Sequence, residues 1–218
     1  MNTLIQYAVM ALAILVTVTI HEFTKAVTST ILGDNAPKND KRLTINPFKH
    51  FEPVGFLFML LFGGYGWGKP VRTSSVYYKN RTKGTVITYT APIIANLIFG
   101  FIFALANTLI IKFAYPLLFK SELTLDIFKY VVLFFNFLVT LNVSLAIFNI
   151  IPVSPLSGNR IMTALMSPNE ALKMTHYEKL FQIILVMVMC FGLVGTILDP
   201  VVQTIIDFYN FILKLIFV

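Results

Sequence analysis

Apolar residues in this chain come in long unbroken runs, without the stripe of a surface helix or the alternation of a half-buried strand. The runs extend from Thr3 to Leu32, Thr85 to Phe119, Ile127 to Ile151 and Leu180 to Leu198, with a further apolar stretch from Val201 to Val218. Roughly 20 helical residues at about 1.5 Å each cross the ~30 Å hydrocarbon core of a bilayer, so each of the first four runs predicts a span. Asp199 and Pro200 interrupt the last pair, leaving the C-terminal stretch as a separate span or an interfacial helix. Between the first two runs, Val54 to Phe62 supplies only nine residues before Gly63, Gly64, Tyr65 and Gly66. That is too short to cross, and it predicts a re-entrant or hairpin element that returns to the side it left. Flanking it, Arg42 to Pro47 and Lys69 to Ser74 are short, turn-bounded segments expected to pair as strands. The expected fold is an all-α polytopic membrane protein, one domain over residues 1–218, with a short re-entrant or β-hairpin element and no internal repeats.

Composition sharpens this picture. The chain has 218 residues, 57% hydrophobic and 12% charged, against about 45–50% and about 25% in a soluble domain. The first run lacks a basic leading region and a small-residue cleavage site, so it is expected to stay rather than be removed as a signal peptide. A formal charge of +7 raises the question of nucleic acid, but the basic residues lie between the apolar runs and not on a soluble face, which excludes that class of partner. From Gly33 to Gly84 there are nine Lys or Arg against three acids, Asp34, Asp40 and Glu52, and the positive-inside rule places that stretch in the cytoplasm. Membrane lipid is the implied surrounding. The single cysteine, Cys190, supports neither a disulfide framework nor a CxxC metal site and is expected to face lipid or pack. Tyr65 and Trp67 read as interfacial aromatics, and Arg160, Lys173 and Lys179 as cytoplasmic flanks.

In that topology the first span runs inward and carries His21, Glu22 and Lys25 near its inner end, while the third returns to deliver Asn149 to Arg160 on the same side. Two distant polar clusters are thereby expected at one membrane level. Ionisable side chains at bilayer depth are costly and mark function. His21-Glu22-Phe23-Thr24-Lys25 is the HExxH zinc-protease pattern with lysine in place of the second histidine. Pro152 and Pro155 break the third helix so that a loop at Ser157 can form. Asn96 and Asn149, in or near apolar segments, are placed for hydrogen bonds between helices. His50 and His176 fall in polar segments without ligand spacing to His21.

Further stretches accompany the HE pair: Leu32-Gly33-Asp34, Arg42-Leu43-Thr44-Ile45-Asn46-Pro47, Gly66-Trp67-Gly68-Lys69-Pro70-Val71, Ala91-Pro92 through Asn96, and Phe148-Asn149-Ile150-Ile151-Pro152 through Pro155-Leu156-Ser157-Gly158. Taken in order they resemble the site-2 protease family of intramembrane zinc metalloproteases, in its compact bacterial and archaeal branch. The resemblance implies a site-2-protease-like helical core. In that family two histidines of HExxH and an aspartate hold zinc, the motif glutamate is the general base, and three ligands leave a coordination position for water. Carried over, His21 matches the first ligand and Glu22 the base, both vestigial here, because Lys25 and Ser157 stand at the other two ligand positions. The resemblance also implies that Asn96 and Asn149 hold a substrate's unwound backbone. Ala91, before Pro92, departs from the glycine usual in the family.

Protonated lysine has no lone pair and serine is not a usual zinc ligand, so no cofactor is expected, with zinc only if the protein is active through a replacement ligand such as His50, His176 or Asp34. Zinc with one aspartate and one glutamate sums to zero charge, and so do Lys25 and Glu22. The expectation is a Glu22–Lys25 ion pair, helped by Ser157 and His21, standing where the metal stood. The implied function is that of a catalytically inactive homologue, a pseudoprotease, that binds a transmembrane segment or a membrane-protein partner. The alternative is an active intramembrane metalloprotease with an atypical metal site. A small transporter using Glu22 and Lys25 is disfavoured by the lack of paired repeats.

Overall fold

A computed structural model describes residues 2–114 and 122–217. The described residues form an all-α protein without strands. Its helices are α1 (Thr3–Ile31), α2 (Ala36–Asn39), α3 (Pro53–Leu61), α4 (Arg81–Leu109), α5 (Glu122–Phe148), α6 (Ser157–Leu165), α7 (Pro168–His176), α8 (Glu178–Cys190) and α9 (Leu193–Phe217). Four are long and apolar enough to cross a membrane: α1, α4 with its extension to Phe113, Thr124–Phe148 of α5, and α9. The expected second run reaches Phe119, and its last residues, 115–119, lie outside the described ones.

The last span differs from the sequence expectation. Apolarity alone runs Leu180 to Leu198 together, but Gly192 at φ +71° ends α8 in the left-handed conformation that favours glycine. A new helix then continues through Pro200 to Phe217, so the break falls seven residues before Asp199 instead of at it. Asp199 is held instead by Tyr65, whose hydroxyl donates to its Oδ1 at 2.6 Å. Tyr65 is buried against Phe148, which corrects its reading as an interfacial aromatic. Cys190, at the end of α8, is exposed.

α5 is the central helix. Half of its apolar window is buried, against 28% for α1 and α4 and 17% for α9, so it meets a neighbour on several faces. Leu138, Leu141 and Leu145 pack on Ala13, Ile14 and Val18 of α1 and Met59 of α3. Val139 and Val143 pack on Ala104 of α4 and on Val202, Tyr209 and Leu213 of α9. Phe148 meets Tyr65, Leu156 and Met189.

The expected strands are absent, while the expected return is present. Glycines 63 and 64, both at positive φ, turn the chain after α3, and residues 65–68 run back along it. A Cβ on Gly66 would collide with the Gly55 carbonyl, and one on Gly55 with the Trp67 carbonyl. The excursion closes where Lys69 N–H donates to the His50 carbonyl at 2.9 Å. Arg42–Pro47 and Lys69–Ser74 are joined through a side chain and not through a ladder: the Arg42 guanidinium donates to the Lys69 and Pro70 carbonyls and to His50 Nδ1. A buried arginine fork takes the carbonyls that a strand partner would have used.

Candidate functional site

Four helices supply the site. α1 presents His21, Glu22 and Lys25 within two turns; α4 contributes Asn96; α5 and the residue just past its end contribute Asn142 and Asn149, and α6 begins with Ser157, all of them buried. The predicted ion pair is there, with Lys25 Nζ 2.8 Å from Glu22 Oε1 and both side chains 5% exposed. Glu22 Oε2 accepts the Val71 N–H at 2.9 Å, so each carboxylate oxygen has a partner. Lys25 Nζ also lies 5.5 Å from the centre of the Tyr89 ring. Ser157 does not reach the pair. Its Oγ lies 3.5 Å from His21 Nε2.

The orientation of His21 follows from a chain of amides. Asn142 Nδ2 donates to the Leu138 carbonyl at 2.7 Å and to Thr17 Oγ1 at 3.0 Å. A carbonyl only accepts, so Asn142 must turn its own Oδ1 to Asn96, whose Nδ2 donates to it at 2.9 Å. That leaves Asn96 Oδ1 facing His21 Nδ1 at 3.0 Å, and the proton of the imidazole sits on Nδ1. Nε2 is therefore the nitrogen turned to Ser157. Metal-ligating histidines are held this way, the remote N–H tied to an oxygen and the lone pair presented to the centre.

Asn149 works on the opposite wall. Its Nδ2 donates to the Leu145 carbonyl, its Oδ1 accepts Ser157 N–H at 3.1 Å, and its carbonyl accepts Gly158 N–H at 2.7 Å. Both asparagines that the resemblance assigns to substrate are thus engaged internally, Asn96 in orienting His21 and Asn149 in placing Ser157.

The space among His21, Glu22, Lys25, Trp67, Gly68 and Asn149 is about 10 Å³. A water needs about 10–15 Å³, so the chamber holds one at most. Lys25 separates it from an outer cavity of about 580 Å³.

Zinc does not fit these donors. His21 offers an imidazole lone pair, but Ser157 has only a neutral hydroxyl, not a usual zinc ligand; Glu22 is used on both oxygens, Lys25 is a cation, and no group of three His, Cys, Asp or Glu among the described residues is placed for a metal. The replacement ligands suggested by the sequence are committed elsewhere. Asp34 accepts from Ser29 Oγ, Ala36 N–H and Ser74 N–H. His50, fully buried, donates from Nε2 to the Thr44 carbonyl and accepts at Nδ1 from Arg42. Burial holds its imidazole below the ordinary pKa. His176 is exposed on α7.

Sequence reading missed Thr17 and Asn142. Thr17 precedes His21 by four residues and Asn142 precedes Asn149 by seven, both same-face spacings on a helix, so polar residues recurring on one face of an apolar run were the available signal.

The chain is 32% identical, over 170 residues that make up 78% of it and 74% of the relative, to a Bacillus subtilis (strain 168) protein named "Putative zinc metalloprotease YwhC". No family model and no solved structure matches. With that identity over most of both chains, and the HE pair set in a membrane-spanning helix, the protein belongs to the metalloprotease family of this Bacillus relative.

Proposed function

We propose that this protein is a site-2-protease-like member of its family that no longer hydrolyses peptides and acts by binding, holding a transmembrane segment or a membrane-protein partner within the bilayer. Residues 33–84 lie on the cytoplasmic side in this reading, in keeping with their nine basic and three acidic residues. The observation that carries the proposal is the 2.8 Å Glu22–Lys25 pair. A general base must be free to take a proton from water; Glu22 has one oxygen on an ammonium and the other on a backbone N–H. The chamber beside it has no room for a metal-bound water together with a peptide carbonyl. Replacing a dication and one carboxylate by one ammonium keeps the net charge at zero, the condition for burying it.

Elemental analysis of the purified full-length protein tests this directly. The expected zinc content is far below one per chain, and it rises towards one in the Lys25→His, Ser157→Asp double variant, which restores three ligands around an already oriented His21. Stoichiometric zinc in the unaltered protein, lost on His21→Ala, would sink the proposal. The partner is sought by photo-crosslinking in membranes from Ile94 and Ile98, exposed apolar positions of α4 outside the outer cavity. A transmembrane segment captured intact supports the binding reading, and a cleaved one overturns it.

A further inference from the structure

The outer cavity of about 580 Å³ is within the ~300–1,000 Å³ usual for ligand sites. Four pieces of chain wall it: α1 at Lys25, residues 70–73 with Ser75, α4 at Thr85 and Tyr89, and the turn before α6 with its start as far as Arg160. Its charges are all of one sign. Lys25, Arg72 and Arg160 line it and no aspartate or glutamate does. Lys25 is neutralised by Glu22, whereas Arg72 and Arg160 are exposed and take part in neither ion pair of the described residues. Two uncompensated guanidinium groups thus share one concave site with the hydroxyls of Thr73 and Ser75, while that of Thr85 donates to the Arg81 carbonyl.

We propose that this cavity is an oxyanion site that binds a phosphate group, either the headgroup of an anionic lipid or a soluble phosphate. Guanidinium forks match phosphate oxygens two at a time, and a phosphate has oxygens enough for both forks and the hydroxyls. The N–H groups of Ser157 and Gly158 at the start of α6 are already taken by Asn149, so the guanidinium groups and hydroxyls carry the recognition. Depth also fits. Thr85 and Tyr89 follow the first residue of α4 by four and eight positions, about 6 and 12 Å along the axis, which brings the cavity from the helix end to the headgroup layer. A transmembrane peptide would need an apolar wall in place of these cations. The site does not depend on whether the inner chamber is catalytic.

The test uses the full-length protein in nanodiscs of phosphatidylcholine alone or with phosphatidylglycerol, with native mass spectrometry counting retained lipid, and in detergent with inorganic phosphate titrated by calorimetry. Retention of phosphatidylglycerol assigns the lipid source and binding of inorganic phosphate the soluble one; either supports the site. Arg72→Gln with Arg160→Gln is expected to weaken binding about a hundredfold, about tenfold for each charge-assisted hydrogen-bonding fork removed. Lys49→Gln with Lys83→Gln removes the same charge away from the cavity and is expected to change binding less than about threefold. Arg72→Lys keeps the charge without the fork and should fall between, serving if the double glutamine variant is poorly folded. No retention of either probe, or equal loss in both double variants, overturns the proposal, as does a cavity that crosslinks only to polypeptide.

Discussion

Removing the Lys25 ammonium should harm the protein more than removing the whole ion pair. Lys25→Met keeps the length and apolar stem of the side chain but leaves Glu22 as a buried carboxylate whose one remaining hydrogen bond is from the Val71 N–H. Breaking one partner of a buried pair costs about 3–5 kcal/mol. In Glu22→Gln with Lys25→Met the charge is gone from both sides, and the new amide oxygen at position 22 still accepts from Val71. The double change still removes the approach of Lys25 to the Tyr89 ring, worth about 1 kcal/mol, so the double variant should be close to the unaltered protein. For a chain of 218 residues, about 2–4 °C per kcal/mol puts the single variant ~6–20 °C lower in midpoint and the double variant within ~4 °C. Trp67, the single tryptophan of the sequence, lies on the wall of the same chamber. Its fluorescence on heating the detergent-solubilised protein therefore reports on the site itself. Equal midpoints for the single and double variants would refute the argument, because the penalty depends on an uncompensated charge and not on the removal of lysine.

Three further outcomes rest on neighbouring hydrogen bonds and packing. His50 accepts from Arg42 at Nδ1 and donates from Nε2, so a second proton would set two cations together; burial already holds its pKa down. The unfolded chain then takes up that proton more readily than the folded one. Stability should be full above the ordinary imidazole pKa of about 6.5 and decline as pH falls below it, with a flatter melting profile between pH 8 and 5 in His50→Gln. Asn96→Leu strands the His21 Nδ1–H and the Asn142 Oδ1, at about 1–3 kcal/mol each; nitrogen NMR of labelled histidine should show the defined Nδ1–H tautomer of His21 before the change and a mixture after it. Gly158→Ala would drive a Cβ into the Ile150 and Ile151 carbonyls. Because backbone atoms give way less than side chains, the folded yield should drop more than for Gly192→Ala, where a Cβ meets nothing within 4 Å and the cost is the left-handed backbone alone, about 1 kcal/mol.

Long apolar runs placed three of the four long helices, because at bilayer thickness length and apolarity alone decide whether a segment spans. They misplaced the fourth, since hydropathy does not see the backbone conformation of Gly192, and Pro200 is accommodated in the first turns of a helix that continues past it. The HE pair, Lys25 and Ser157 were visible as motif positions. Their partners were less so, for a physical reason: the Val71 N–H is a backbone donor and leaves no mark in the sequence. Arg42 was visible as a basic residue heading an expected strand and a motif stretch, but not as the side chain whose guanidinium joins the segment at 42 to the carbonyls of 69 and 70. The strand expectation failed at that point. A hydrogen-bond ladder and a buried arginine satisfy the same carbonyls, and turn-bounded polar segments do not reveal which is used.

The amide chain from Leu138 through Asn142 and Asn96 to His21 bears on which positions of the centre can change without disturbing the rest. An ion pair between Glu22 and Lys25 needs neither a fixed imidazole nor a particular tautomer; Lys25 and Glu22 do not bond to His21, and Ser157 approaches it only at 3.5 Å. Yet three amide hydrogen bonds spanning three helices still hold the Nε2 lone pair towards the chamber. Such a network is costly to leave half satisfied, so its members hold one another in place whether or not an ion is bound beside them. Lys25 and Ser157 stand outside it, so a change at either leaves the amide chain intact, whereas a change at Asn96 or Asn142 breaks it. The same independence makes the zinc-uptake experiment with Lys25→His and Ser157→Asp demanding: the oriented half of the site is already built, and failure to bind metal would mean that the chamber around it has closed as well.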